Sequence, residues 1–96
     1  MKKEPVSLAV VDDHQIVIDG IRSILQGHET FKITIESTNP LEVITLLGKT
    51  HVDILLTDVM MPGMNGAELA KAVRAAFPEI KIMALSMSGQ DRKSVV

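Results

Sequence analysis

Three short apolar runs in this chain each stop at a polar side chain able to do chemistry. "VSLAVV" (6–11) runs into Asp12 and Asp13, "VDILLTD" (52–58) ends in Asp58, and "IKIMALS" (80–86) ends in Ser86. The first reads as a strand buried on both faces, and the second as another buried strand. A run of this kind takes few partners, because a strand apolar on both faces needs cover on each side. The segments between the runs supply it.

From Asp13 to Gln26 the apolar spacing changes to about 3.6, through Val17, Ile21, Ile24 and Leu25. The segment reads as a helix with Asp13 near its start, where that carboxylate can cap, and Gly27 as its stop. Gly20 inside it is costly for a helix and predicts a close packing contact. "FKITIES" (31–37) alternates apolar and polar residues, as a half-buried strand near a sheet edge does. A second helix follows, with Asn39 as cap, Pro40 in the first position, Glu42 three residues after the cap and an end near Gly48. Pro62-Gly63 marks a turn in "VMMPGMNG" (59–66). Asn65 and Glu68 repeat the cap pairing before a third helix, whose apolar face is Leu69, Val73 and Ala76 and which Pro78 stops. "GQDRKSVV" at the end of the chain reads as the start of another helix.

Strands alternating with helices imply an α/β fold, a parallel sheet with helices on both faces. Right-handed crossovers, an edge position for 31–37 and central positions for the two Asp-ending strands give the order 2-1-3-4. Ligands of such sheets bind at the carboxyl ends of the strands where the order reverses, here between the first and third strands.

That is where the three carboxylates converge. Taken singly, each Asp reads equally well as a helix cap or turn residue. Together, on strands roughly 5 Å apart, Asp12, Asp13 and Asp58 repel one another, and a divalent cation relieves the repulsion. All-oxygen ligands suit Mg²⁺ or Ca²⁺, and so few carboxylates suit Mg²⁺ better.

Composition removes other classes of function. The chain has 96 residues, enough for one small domain, and a net charge of −2, which gives no basic footprint for nucleic acid or membrane. It has no Cys, and its two Phe are its only aromatic residues of the Phe, Trp and Tyr type, too few for a base-stacking surface. No apolar run approaches the ~20 residues of a membrane span. The start is too interrupted for a signal peptide, so a cytoplasmic location is expected.

"VVDDH" (10–14), "LLTDVMMPGMNG" (55–66) and "IKIMALS" (80–86) together resemble the receiver domain of bacterial two-component response regulators, a CheY-like, flavodoxin-type fold. "VVDDHQIVIDGIRSIL" and "AFPEIKIMALSM" are most similar to regulators carrying a C-terminal LuxR-type helix-turn-helix, the NarL/LuxR group. The resemblance covers residues 6–96. It implies that Asp58 is the phosphoacceptor, taking a phosphoryl group from a histidine of a sensor kinase. It implies that Asp13 binds Mg²⁺ directly, Asp12 directly or through water, and the backbone carbonyl of Met60 as a further ligand. Ser86 would hydrogen-bond the phosphoryl group and move with it, switching the helix 4 surface to control an output, transcription in this group. Such a protein promotes its own phosphotransfer but is not an enzyme acting on a separate metabolite.

One departure matters. Receivers have a fifth strand ending in a Lys that pairs with the phosphoryl group, followed by a helix. Lys93 comes too soon after Ser86 and falls in the helical stretch, so it is not assigned that role. The chain therefore reads as a fragment, a C-terminally incomplete receiver domain without fifth strand, fifth helix or DNA-binding domain. DNA contact would need that absent domain. Reduced stability is expected, with strand 4 an exposed edge across which two copies could pair or swap.

Other residues are set aside. His14 reads as a solvent-facing first-turn residue, and His28 and His51 as loop residues at the opposite end of the sheet. Met60, Met61 and Met64 read as shielding, and Thr57 as packing. Three rivals remain to be weighed. An Mg²⁺-dependent aspartyl phosphatase of the haloacid-dehalogenase type needs a second Asp two residues after the nucleophile, where this chain has Met60. An FMN binder would want a Ser/Thr/Gly-rich loop where "DDHQ" stands. A receiver-like interaction module that is never phosphorylated is opposed by the three Asp and left open by the missing Lys.

Overall fold

The computed structural model describes residues 4–58, 66–87 and 93–95. Among these residues five strands and three helices follow in the order β1 (Val6–Val11), α1 (Gln15–Leu25), β2 (Phe31–Ser37), α2 (Pro40–Leu47), β3 (Ile54–Asp58), α3 (Gly66–Ala76), β4 (Lys81–Met87) and β5 (Lys93–Val95). They form one sheet in the order β2-β1-β3-β4-β5. The first four strands are parallel in the expected 2-1-3-4 order.

β1 is central because its side chains are apolar on both faces. Leu8, Ala9, Val10 and Val11 are all buried. One face of the sheet, carrying Ala9, Val11, Ile35 and Leu55, packs against Val43 and Leu47 of α2 and Leu69 and Val73 of α3. On the other face lies α1, whose Ile21, Ile24 and Leu25 share an apolar groove of about 240 Å³ with Leu8, Ile54, Leu56 and Met83. β3 is therefore buried on one side only: Ile54 and Leu56 are half-buried, where the sequence reading expects full cover. The physical reason is width, since a single helix such as α1 cannot cover a whole sheet face.

β2 takes the edge, as its alternation predicts. Its register with β1 slips by one residue between Leu8 and Ala9, a bulge that leaves Thr34 outside the pairing, with its hydroxyl 3.4 Å from the Leu8 carbonyl. Arg22 of α1 reaches this edge with a two-pronged contact to Glu36 at 2.8 and 2.9 Å. Those hydrogen bonds hold the Glu36 carboxyl below its ordinary range and the guanidinium above its own.

Local signals are met with several changes. Asn39 caps α2 by accepting from the Leu41 N–H at 2.9 Å. Glu42 does not reach back to the cap; it accepts instead from the Ser37 hydroxyl at 2.6 Å, and that hydroxyl accepts from the Asn39 N–H at 3.0 Å. Gly27 follows α1 with φ of 87°, the left-handed conformation that favours glycine. Gly20 has nothing within 4 Å of where a Cβ would stand, so the expected close contact is absent. On α3 the buried face is Leu69, Ala70 and Val73, with Phe77 packed beside it, and Ala76 is exposed. Asn65, its expected cap, lies outside the described residues.

The end of the chain departs from expectation. Lys93–Val95 is not helical but pairs antiparallel with β4, Met87 facing Lys93 and Leu85 facing Val95. An open edge offers unpaired backbone groups that a segment reaching it can pair with. The expected edge is thus covered at Leu85–Met87, and among the described residues nothing pairs with Lys81–Ala84 on that side.

Candidate metal centre

Parallel pairing of β1 with β3 sets Val11 opposite Thr57, so the residues that follow each strand share one mouth. Asp12 is 1% exposed and Asp58 8%. One ligand atom from each of Asp12, Asp13, His14 and Asp58 lies within 4.8 Å of every other. The sequence-predicted carboxylates are therefore together, and the cluster is close enough to hold a metal ion.

Backbone contacts fix this arrangement. The Asp12 N–H donates to the Ser37 carbonyl at 3.2 Å, tying the end of β1 to the end of β2. Asp12 Oδ1 accepts from the His14 N–H at 2.8 Å and so satisfies an otherwise unpaired donor where α1 begins. The capping contact expected of Asp13 is not made: His14 holds the N-cap position of α1 without a side-chain cap, and Asp12 instead folds back on the His14 N–H as an Asx turn. Asp13 is left to point elsewhere, with a side chain 24% exposed. Its Oδ1 is buried, and among the described residues it has no hydrogen-bond partner. The one group among them that meets it is the His14 imidazole, an ion-pair partner with Nδ1 3.0 Å away. The donor set, the carboxylates of Asp12, Asp13 and Asp58 with the His14 ring beside them, fits a hard divalent cation.

Sequence reasoning passed over two contributors. The sequence reads His14 as solvent-facing, and its side chain is 65% exposed, but Nδ1 lies 3.0 Å from Asp13 Oδ1 and 3.3 Å from Asp12 Oδ1. Its position directly after the acidic pair was the available signal. Thr57 is buried, and beyond packing its hydroxyl donates to the Asp58 carbonyl at 3.0 Å, which steadies the chain leaving β3. Of the remaining predicted residues, Ser86 lies in β4 opposite Ser94, and its side chain is outside the described part. Met60, with Met61 and Met64, is also outside it.

At the opposite end of the sheet a second cluster is structural. Asp53 accepts from the Ser7 N–H at 2.9 Å, the Ser7 hydroxyl at 3.1 Å and His51 Nε2 at 3.0 Å. The Ser7 N–H above all, then its hydroxyl, holds the Asp53 carboxyl below the usual carboxylate range. It latches the start of β1 to the start of β3. Among the described residues no helix is long and apolar enough to cross a membrane.

Comparison with known proteins accords with this geometry. The family model for the response regulator receiver domain matches residues 8–96. The chain is 31% identical to the uncharacterized transcriptional regulatory protein YxjL of Bacillus subtilis, over 90% of this chain and 39% of that protein. It is 25% identical to the transcriptional regulatory protein DegU of Brevibacillus brevis, over 91% of this chain and 37% of that one. The isolated REC domain of RcsB from Salmonella enterica serovar Typhimurium, solved in the presence of phosphomimetic BeF3-, superposes with a TM-score of 0.82 at 32% identity, covering 88% of this chain and 64% of that one. The chain thus spans less than half the length of these curated relatives. With the model match running over nearly the whole sequence, this chain belongs to the response regulator receiver domain family.

Proposed function

We propose that residues 6–96 form a receiver domain whose Asp58 accepts a phosphoryl group from a sensor histidine kinase. The observation that carries this reading is the convergence of Asp12, Asp13 and Asp58 at one mouth of the sheet, within 4.8 Å. Asp58 is the member placed to react, because it ends β3 alone while Asp12 and Asp13 stand as a pair on the facing strand. A carboxylate needs no general base. An Asp58 oxygen attacks phosphorus, the bond from phosphorus to the kinase histidine nitrogen breaks, and that nitrogen keeps the electron pair.

Asp12 and Asp13 would hold Mg²⁺, with the Met60 carbonyl as a further ligand; when bound, the ion neutralises charge on the transferring group. Asp12 is fixed by the His14 N–H and the Ser37 carbonyl, so the crevice is organised before the ion arrives. Ser86 would contact the phosphoryl group from the end of β4 and carry the switch towards the following helix. The protein acts on no separate metabolite, works in the cytoplasm, and reaches DNA only through a C-terminal domain of the kind a transcriptional regulator carries. Homodimerisation belongs to the same reading.

The test is intact mass after incubation with Mg²⁺ and acetyl phosphate. The chain should gain one phosphoryl group, and Asp58→Asn should abolish the gain. An undiminished yield in that variant overturns the assignment.

A further inference from the structure

Gly20 interrupts α1 at a cost to the helix, and among the described residues nothing comes within 4 Å of where its Cβ would stand. One turn to either side stand Ile16, 78% exposed, and Ile24, 71% exposed. At 100° and 1.5 Å per residue the three positions fall on one stripe, about 6 Å between neighbours. Two large apolar side chains thus flank an open notch. Half-buried Val17 and Ile21 extend the stripe towards the groove floored by Leu8, Leu56 and Met83. The polar residues of α1 stay off it. Gln15 donates to Asp19 at 3.0 Å, Arg22 donates to Asp19 at 2.9 Å, and Arg22 also holds Glu36 of β2. They form a row on the flank that faces β2, so the stripe carries no charge of its own.

A lone exposed isoleucine is ordinary, but two on one ridge with a gap between them make a shape that another helix fits. We infer that this stripe is the contact surface for a second copy of the chain, α1 against α1, antiparallel, with the two Gly20 residues at the crossing. The spacing selects a second copy. Gly20 stands midway between the isoleucines, so a two-fold axis at the crossing sets Ile16 of one copy beside Ile24 of the other at both ends. The glycines let the backbones approach at the short end of the about 8–10 Å between packed helices. Charge selects the direction. Asp12, Asp13 and Asp58 crowd the mouth just before α1. Parallel packing would bring two such mouths together, whereas antiparallel packing keeps them at opposite ends and opposes the helix dipoles. The homodimer of the proposed function thereby gains a place on the fold, separate from the carboxylates and from the β4 edge.

The test is sedimentation velocity of the whole chain, without phosphodonor, from about 10 µM to about 1 mM. A single helix face is smaller than the ~800 Å² per partner of a standard interface, so a weak, concentration-dependent dimer is expected. Ile16→Glu and Ile24→Lys should each weaken association about tenfold or more. Both in one chain should restore it, because each Glu then meets a Lys of the other copy. Gly20→Gln should weaken association while raising Tm, since a side chain there fills the notch yet suits the isolated helix. A wild-type chain that stays monomeric throughout overturns the surface. Association unchanged by Ile16→Glu and Ile24→Lys also overturns it and moves the contact elsewhere, to the β4 edge for example. A double variant no better than the single ones overturns the antiparallel arrangement, and undiminished association in Gly20→Gln overturns the crossing point. With no phosphodonor present, each of these results is separate from that of Asp58→Asn in the mass assay.

Discussion

Removing one charge from the crevice should stabilise the metal-free protein and abolish its response to Mg²⁺. Asp13→Asn is the chosen perturbation, because its side chain is partly exposed and the substitution keeps its shape. Asp13 shares the crevice with Asp12 and Asp58, with ligand atoms no more than 4.8 Å apart. At that separation one like-charge pair costs about 0.9 kcal/mol at the dielectric of water and about 3.5 kcal/mol at an effective dielectric of 20. Asp13 sits near the solvent edge, so the lower figure is the better guide for each of its two pairs. Subtracting the lost contact with the His14 ring leaves a net gain of about 1–2 kcal/mol. For a domain of this size each kcal/mol moves Tm by about 4–8 °C. Thermal melts followed by circular dichroism, with EDTA and with excess Mg²⁺, give the readout. The wild type should melt lower than the variant in EDTA and gain stability with Mg²⁺ by mass action, while the variant should gain little. A variant that melts lower than wild type in EDTA and still responds fully to Mg²⁺ would refute the idea that these carboxylates repel one another and await a cation.

Leu55→Ala should destabilise the chain by about 2–5 kcal/mol, because Leu55 of β3 is fully buried in the core cluster shared with α2 and α3 and its loss leaves a cavity; urea titration measures it. Asn39→Ala removes the α2 cap and should cost about 1 kcal/mol in the same assay. Asp53→Asn should lower the urea midpoint at pH 7 and flatten its acid dependence. The sign follows from the depressed carboxyl: Asp53 contributes stability above its unfolded pKa, ordinarily about 4, and loses it as pH falls through its lower folded value. Glu36, depressed by Arg22, should behave alike, and Arg22→Gln should weaken its part of the acid transition.

The pattern of apolar runs determined much of this protein by itself. Strands such as β1 and helices such as α2 are written in short-range periodicity and in capping residues, and parallel alternation leaves few topologies, so the sheet order and the meeting of Asp12, Asp13 and Asp58 were legible. What was not legible depends on partners distant in sequence or on space. Glu42 fits a capping box equally well whether it bonds the cap or Ser37, and only the placement of β2's end chose Ser37. The Ser7–Asp53 latch joins residues 46 apart. The buried face of α3 turned from Ala76 to Ala70 and Phe77 because the neighbouring α2 and sheet, not the helix's own spacing, decide which side is dry. Residues 93–95 form β5, not a helix, because the open edge of β4 is there to pair with them. His14 is the sharpest case. In sequence it is one exposed residue after an acidic pair, and only the turn that folds Asp12 back onto its N–H brings the imidazole against both carboxylates.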